Sequence, residues 1–325
     1  MRRLVLALAA PVVAILAVRP VGDRMARRLM DAPRTAPGED AARPVLEALG
    51  GEVVRLLARD GVRLSGRWLP AEPGDDGWVP DPREAVLLLH GWTGSVGPDL
   101  VAHGPFLRRT ANVLGLDFRG HGGSADGPTT FGALEVEDVA GALAWLGERG
   151  IRRVALVGSS MGGIVALASI AVLGDGRLAA ADADPDAPVG VAEAPRPRIV
   201  AVVAESVTPQ LSLLVARRLR VPLGRRLGEQ AFAGVARAVG TDPRATEPIR
   251  AVHLLEDVPL LLIAGDADPI VTPGDADRLA AAAPGGTRRL VVHGAGHGDA
   301  HAVDPGAWEA AVVAHLRSAF EGARS

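Results

Sequence analysis

Five short runs of the chain, EAVLLL, NVLGLD, RVALV, IVAVVA and PLLLIA, are apolar almost without a break. A strand with one wet face alternates apolar and polar residues. A strand that is apolar throughout must be covered on both faces, the usual state of a parallel sheet. Between the runs lie stretches with helical spacing, expected near Pro98–Thr110, Ala133–Arg149, Met161–Leu173, Gly274–Ala283 and Pro305–Phe320. A further strand is expected at Arg288–Val292. Such alternation requires crossover connections, and it predicts a mostly parallel α/β sheet with helices on both faces. Ahead of it, EVVRLLARDGVRLSGRWLPAE reads as two strands with Asp60-Gly61 at the turn of a hairpin.

The ends and one insertion depart from this rhythm. Two arginines precede an apolar run over residues 4–18, which Arg19 closes. Fifteen residues is short of the roughly 20 a spanning helix needs and suits the apolar core of a signal peptide. No clean A-x-A cleavage site follows, and Arg19, Arg24, Arg27 and Arg28 sit where an exported chain would rather be neutral. The run therefore reads as a membrane anchor or uncleaved signal, as a cleaved signal, or as a helix packed on the domain. The first two put the chain at a membrane or outside the cytoplasm; the third leaves it in the cytoplasm. Asp31–Pro44 is rich in Pro, Ala and charge and reads as a linker. Val207–Asp257 separates two core strands and is too long for a simple crossover. Its helical spacing predicts a small helical cap. The expected organisation is a hydrophobic segment and linker over 1–44, a core over 45–206, the cap over 207–257 and the rest of the core over 258–325.

Composition narrows the chemistry. Among 325 residues there is no Cys, no Tyr and no Lys, so all 35 cationic side chains are Arg. Thiol nucleophiles, cysteine-held metals, Schiff-base lysines and a Walker A lysine are excluded. The formal net charge is −3 with no basic stripe along the sequence, so no nucleic-acid partner is expected. Covalent catalysis is left to Ser, Thr, Asp or Glu, with one of eight His as base. No cofactor is called for.

One such nucleophile stands out in RRVALVGSSMGGIVALA, an expected strand running straight into an expected helix. A sharp strand-to-helix turn forces its central residue to positive φ and demands small residues two before and two after it. Ser160 meets this, flanked by Gly158 and Gly162; Ser159 has Val157 and Met161 at those offsets. With 40 Gly and ten Ser, a chance G-x-S-x-G is expected about 0.15 times in the chain. A serine needs a base, and the base needs an orienting acid. Asp266 and Asp268 follow the PLLLIA strand, and one of them could accept from an imidazole. His293, His297 and His301 follow the last strand, with His297 in a Gly-rich loop. Glu205, at the end of another core strand, is a further candidate acid.

Two competing readings are weaker. The three histidines are spaced by four, which would align metal ligands on a helix, but Gly294, Gly296 and Gly298 break such a helix. Asp182–Glu193 has acids at calcium-loop positions, but Ala187 occupies the place that requires Gly, and Pro185 and Pro188 intrude. It reads as an acidic solvated loop.

Taken together, these motifs resemble those of the α/β-hydrolase family, over most of residues 50–320. GSSMGG resembles the nucleophile elbow, LLLHGWTGS the oxyanion loop, DFRGHGGS the loop after the following strand, GDADPIV the acid turn and GAGH the histidine loop. The closest resemblance is to serine-aminopeptidase-like and monoacylglycerol-lipase-like members. It implies an α/β-hydrolase sheet with a small helical cap and a serine hydrolase acting on an acyl ester or amide. It further implies that Ser160 attacks, His297 serves as base and then acid, and Asp268 orients His297. The backbone N–H groups of Met161 and Trp92 would form the oxyanion hole; the Trp92 ring could equally pack beneath the cap. His90 reads as structural, and His121 and Arg119 as braces of their loop. Acyl transfer with the same triad, or non-catalytic binding on the same fold, remain alternatives.

Overall fold

The computed structural model describes residues 19–32, 39–174, 196–221 and 223–324. The apolar run 4–18 and the acidic stretch Asp182–Glu193 lie outside the described residues. Helices α1 (19–30) and α2 (Glu39–Ala48) lead to the hairpin β1 (Glu52–Leu57) and β2 (Arg63–Leu69). The core then runs β3 (Glu84–Leu89), α3 (Val96–Leu107), β4 (Asn112–Asp117), α4 (Glu135–Glu148), β5 (Arg153–Ser159), α5 (Met161–Leu173) and β6 (Arg198–Glu205). After β6 come α6 (Leu211–Leu219), α7 (Gly224–Val239) and the short α8 (Pro248–Ala251). The chain ends with β7 (Leu260–Gly265), α9 (Pro273–Ala282), β8 (Arg288–Val292), α10 (Ala300–Val303) and α11 (Pro305–Arg324).

These strands form an eight-stranded sheet in the order β1-β2-β4-β3-β5-β6-β7-β8. Pairing is parallel from β4 through β8, while β2 runs antiparallel to both β1 and β4. The unbroken apolar runs have the cause expected of them. In β3, Leu87 and Leu89 point into the core shared with α4 and α5, and Val86 and Leu88 into the core shared with α3 and α11. Each fully buried side chain of this kind contributes about 1.5–3 kcal/mol. Glu84, the one acid in the run, is buried and held by Arg153 and Arg324.

The chain passes from β3 outward to β4 and returns on the other side of β3 as β5. The loops leaving β3 and β5 therefore stand side by side at their carboxyl ends, the place where open α/β sheets bind ligands. The α6–α7 pair sits over these ends. Arg217 of α6 bonds Ile270 O and Asp275 beyond β7, and Phe232 of α7 meets Phe131 edge-on.

Two N-terminal elements were not legible. The helix Glu39–Ala48 overlaps the stretch read as linker, despite Pro44 within it. Ala42 and Leu46 are buried against the α3 side of the sheet, and that packing outweighs the one helical hydrogen bond Pro44 cannot make. Helix α1 lies along α7. A Cβ on Gly234 would come within 2.7 Å of Ala26 Cβ, so the two backbones meet over small residues.

Backbone contact also governs α4. A Cβ at Gly141 would collide with the Leu57 carbonyl and come within 2.7 Å of Ala58 Cα. Gly141→Ala gains about 1 kcal/mol of helix propensity yet forces β1 away from α4, at about 1–3 kcal/mol for overpacking. A lower urea midpoint is expected; an unchanged or raised midpoint would contradict this packing. His315 of α11 is buried with its Nε2–H on Val202 O. Burial, aided by the charge of Arg288, pushes its imidazole down to about 4. Between the ordinary histidine value and pH 4 the unfolded chain therefore binds a proton that the folded chain refuses, and stability is lost as pH falls. His315→Gln keeps the donor and removes the titration. Its stability relative to wild type should improve below pH 6.5 by up to about 1.4 kcal/mol per pH unit, read from urea midpoints. Parallel pH profiles for the two proteins would show that His315 carries no such linkage.

Candidate active site

Ser160 sits between β5 and α5 with φ 53° and ψ −114°. Positive φ strains a residue with a Cβ, and here it lifts the hydroxyl clear of the turn. The two flanking glycines are required for reasons the contacts make explicit. A Cβ on Gly158 would collide with the Gly162 backbone, and one on Gly162 would collide with the carbonyl of Leu89 at the end of β3. The Ser160 N–H donates to Glu205 O at 2.8 Å, tying the turn to the end of β6.

Three side chains, from β5–α5, the β7–α9 loop and the β8–α10 loop, meet in a line. Ser160 Oγ is 2.8 Å from His297 Nε2, and His297 Nδ1 is 2.8 Å from Asp268 Oδ2. The other oxygen of Asp268 accepts the N–H groups of Ile270 at 2.7 Å and Val271 at 2.9 Å. The carboxyl is fully enclosed, and burial alone would raise it. The bond from His297 and the two backbone donors outweigh that cost and hold Asp268 below the usual carboxylate range. An ionised carboxylate only accepts, so His297 donates to it from Nδ1, and in the neutral ring that tautomer leaves Nε2 as the acceptor facing the serine hydroxyl.

The other candidates fall elsewhere. Asp266 engages exposed His293 at 2.6 Å and the N–H of Gly294, so it is Asp268 that faces His297. His301 bonds Glu309, which leaves the three histidines on three separate carboxylates. Among the described residues no group of three side chains is placed to hold a metal. His90 accepts from Phe118 N–H on Nε2 and donates from Nδ1 to Gly91 O; burial, with His121 beside it, pushes it down to about 3. It is a neutral clamp on the loop. Arg119 is buried between Asp60 and Asp138, and His121 Nδ1 bonds the Arg119 carbonyl, so both brace the loop after β4.

Trp92 follows Gly91, whose Cβ position faces Ser160 Cβ at 3.7 Å. Its indole N–H donates to Leu29 O of α1 at 3.2 Å, and its ring tilts on Phe131. The ring thus packs beneath α1. Met161 is the first residue of α5, where no carbonyl one turn earlier is available to its N–H.

Glu205 has a part the sequence did not disclose. Its carbonyl holds the serine turn, while its carboxylate accepts Ala300 N–H at 3.1 Å and the Trp308 indole at 2.9 Å. Ser206, next to it, accepts Gly298 N–H at 3.0 Å. The end of β6 therefore fixes the histidine loop against the serine turn. The available signal was an acid closing an otherwise apolar run.

The chain can now be set beside known proteins. Residues 86–312 match the model of the alpha/beta hydrolase family. An uncharacterized protein of Mycobacterium tuberculosis, Rv2307c, is 31% identical over 308 residues, covering 91% of this chain and 90% of that protein. Among solved structures, the Pyrococcus furiosus esterase Pf2001 is 22% identical with a TM-score of 0.62, covering 89% of this chain and 98% of its own. A hydrolase from Pseudomonas aeruginosa is 23% identical with a TM-score of 0.53, covering 82% of this chain and 98% of its own. At those identities the likeness to the solved structures is one of fold. The family match spans most of the chain and takes in the strand ends that carry Ser160, Asp268 and His297: the chain belongs to the α/β-hydrolase family.

Proposed function

We propose that this protein is a serine hydrolase that cleaves a carboxylic ester, or an amide, through an acyl-enzyme on Ser160. The observation that carries the reading is the unbroken line Ser160 Oγ–His297–Asp268, with both links at 2.8 Å. His297 Nε2 takes the hydroxyl proton as Oγ attacks the acyl carbon, and Asp268 stabilises the imidazolium that results. The carbonyl oxygen becomes an oxyanion beside the N–H groups of Met161 and Trp92, each such donor worth about 3 kcal/mol elsewhere. His297 then delivers its proton to the leaving alcohol or amine. A water deprotonated by the same nitrogen attacks the acyl carbon, and the carboxylic acid departs as Ser160 recovers its proton. An acceptor alcohol in place of water would give acyl transfer with the same groups. That the Pyrococcus furiosus relative is an esterase favours esters.

A fluorophosphonate probe should label the wild-type protein and fail to label Ser160→Ala, which is expected to stay folded. Equal labelling of both would end this assignment. Asp268→Asn should slow hydrolysis of short-chain p-nitrophenyl esters by about 10³–10⁴-fold, because the imidazole loses its orientation. Asp266→Asn should leave it within a fewfold of wild type. Were Asp266→Asn the more damaging change, the acid would have to be reassigned.

A further inference from the structure

Helices α1, α6 and α7, with the turn between the last two, carry ten arginines against two acids, Asp23 and Glu229, in a chain whose formal net charge is −3. Both acids are already engaged, by Arg237 and Arg225. Arg19, Arg220 and Arg226 are exposed and make no ion pair among the described residues. Their charge faces water unopposed.

The same end of the molecule exposes apolar side chains. Leu219, Val221 and Leu223, alternate residues at the α6–α7 turn, are 40%, 45% and 47% exposed, and Val21 of α1 is 47% exposed. Elsewhere among the described residues exposed large apolar side chains stand singly, apart from Val53 and Leu57 on the edge strand β1; here three fall within five positions, which makes a patch. The helix register brings the two parts together. Gly22 packs on Gln230 and Ala26 on Gly234, so α1 and α7 run parallel. Arg19, three residues before Gly22, is then level with Leu227, about 6 Å along the axis from the α6–α7 turn at Leu223. The chain enters α1 from the apolar run 4–18 at this end.

We infer that the start of α1 and the α6–α7 turn form a docking surface for an anionic lipid bilayer. Leu219, Val221 and Leu223 enter the acyl boundary while Arg19, Arg220 and Arg226 meet the phosphate level. Exposed aliphatic side chains beside unpaired guanidiniums suit a surface that is apolar within and anionic at its face. A nucleic acid or an acidic protein would answer the charge but not the apolar tip. The inference concerns binding, and it stands whether or not Ser160 turns over substrate.

The chain has no Cys, so Leu223→Cys in the full chain takes a single environment-sensitive fluorophore. Vesicles of phosphatidylcholine with about 30% phosphatidylglycerol should blue-shift its emission, and pure phosphatidylcholine vesicles should not, since surface attraction depends on anionic lipid. The same label at Val79, 72% exposed in the loop before β3 at the opposite end of the sheet, should not respond. Because residues 4–18 could bind vesicles by themselves, the position of the label, not sedimentation, decides the matter. Replacing Arg220 and Arg226 together by Gln should weaken vesicle affinity, read from the lipid concentration that half-saturates the Leu223 label's shift, about 25-fold, at about fivefold per arginine. A silent label at Leu223, equal shifts at Leu223 and Val79, or undiminished affinity in the double variant would overturn the proposal. So would an equal blue shift with heparin or duplex DNA, which would make this a polyanion site.

Discussion

One backbone approach governs the carboxyl edge of the sheet: the first turn of α5 lies directly on the last carbonyl of β3. Gly162 permits it, since any Cβ there would strike Leu89 O, and Gly158 permits the return of the turn on itself. Once α5 is seated this closely, Ser160 has no relaxed conformation open to it and is held at φ 53°. The loop that bears Gly91 and Trp92 is brought beside the hydroxyl by the same contact, because it leaves β3 one residue later. Proximity, strain and the neighbouring N–H groups are thus consequences of two missing methyl groups.

The histidine loop needs a second anchor, because it arrives from β8, three strands from β5. That anchor is the end of β6. Glu205 and Ser206 together bind the Ser160, Gly298 and Ala300 N–H groups and the Trp308 indole. Burying Glu205 is costly and raises its carboxyl, with the bonds from Trp308 and Ala300 acting against that rise. A buried acid with fully committed oxygens is stiff in a way an apolar residue is not, since moving it strands donors without partners. Asp117 ties the neighbouring loops similarly, accepting Val96 N–H and Gly123 N–H, and so joins the start of α3 to the loop after β4.

How far the sequence could be read follows from the range of the physics involved. The strands Asn112–Asp117 and Arg288–Val292 and the helix Met161–Leu173 have the expected bounds, because continuous apolar runs and glycine punctuation are local signals. The serine turn was legible because its steric demands fall within five residues. Asp266 and Asp268 were not separable from local pattern alone. Which of them meets His297 depends on how the loop after β7 folds back, and the Ile270 and Val271 N–H groups decide it by turning Asp268 inward. Helix α2 was hidden by Pro44, a local signal that packing overrode.

The charge of the α1–α7 surface was hidden for a different reason. Arg19–Arg28 and Arg217–Arg237 lie about two hundred positions apart in the sequence, and neither group by itself forms a basic stripe. Only the packing of Gly22 and Ala26 on α7 brings them onto neighbouring helices. That packing has almost no signature, since small residues at a helix crossing look like any other glycine or alanine. It also sets where the ends of α1 lie. Its first turn stands near the α6–α7 turn, while its last gives Leu29 O to the Trp92 indole. A single helix of twelve residues therefore connects the arginine-rich edge to the loop beside Ser160. Displacement of α1 along its axis would be felt at both places, because the glycine contacts leave it little room to tilt without sliding.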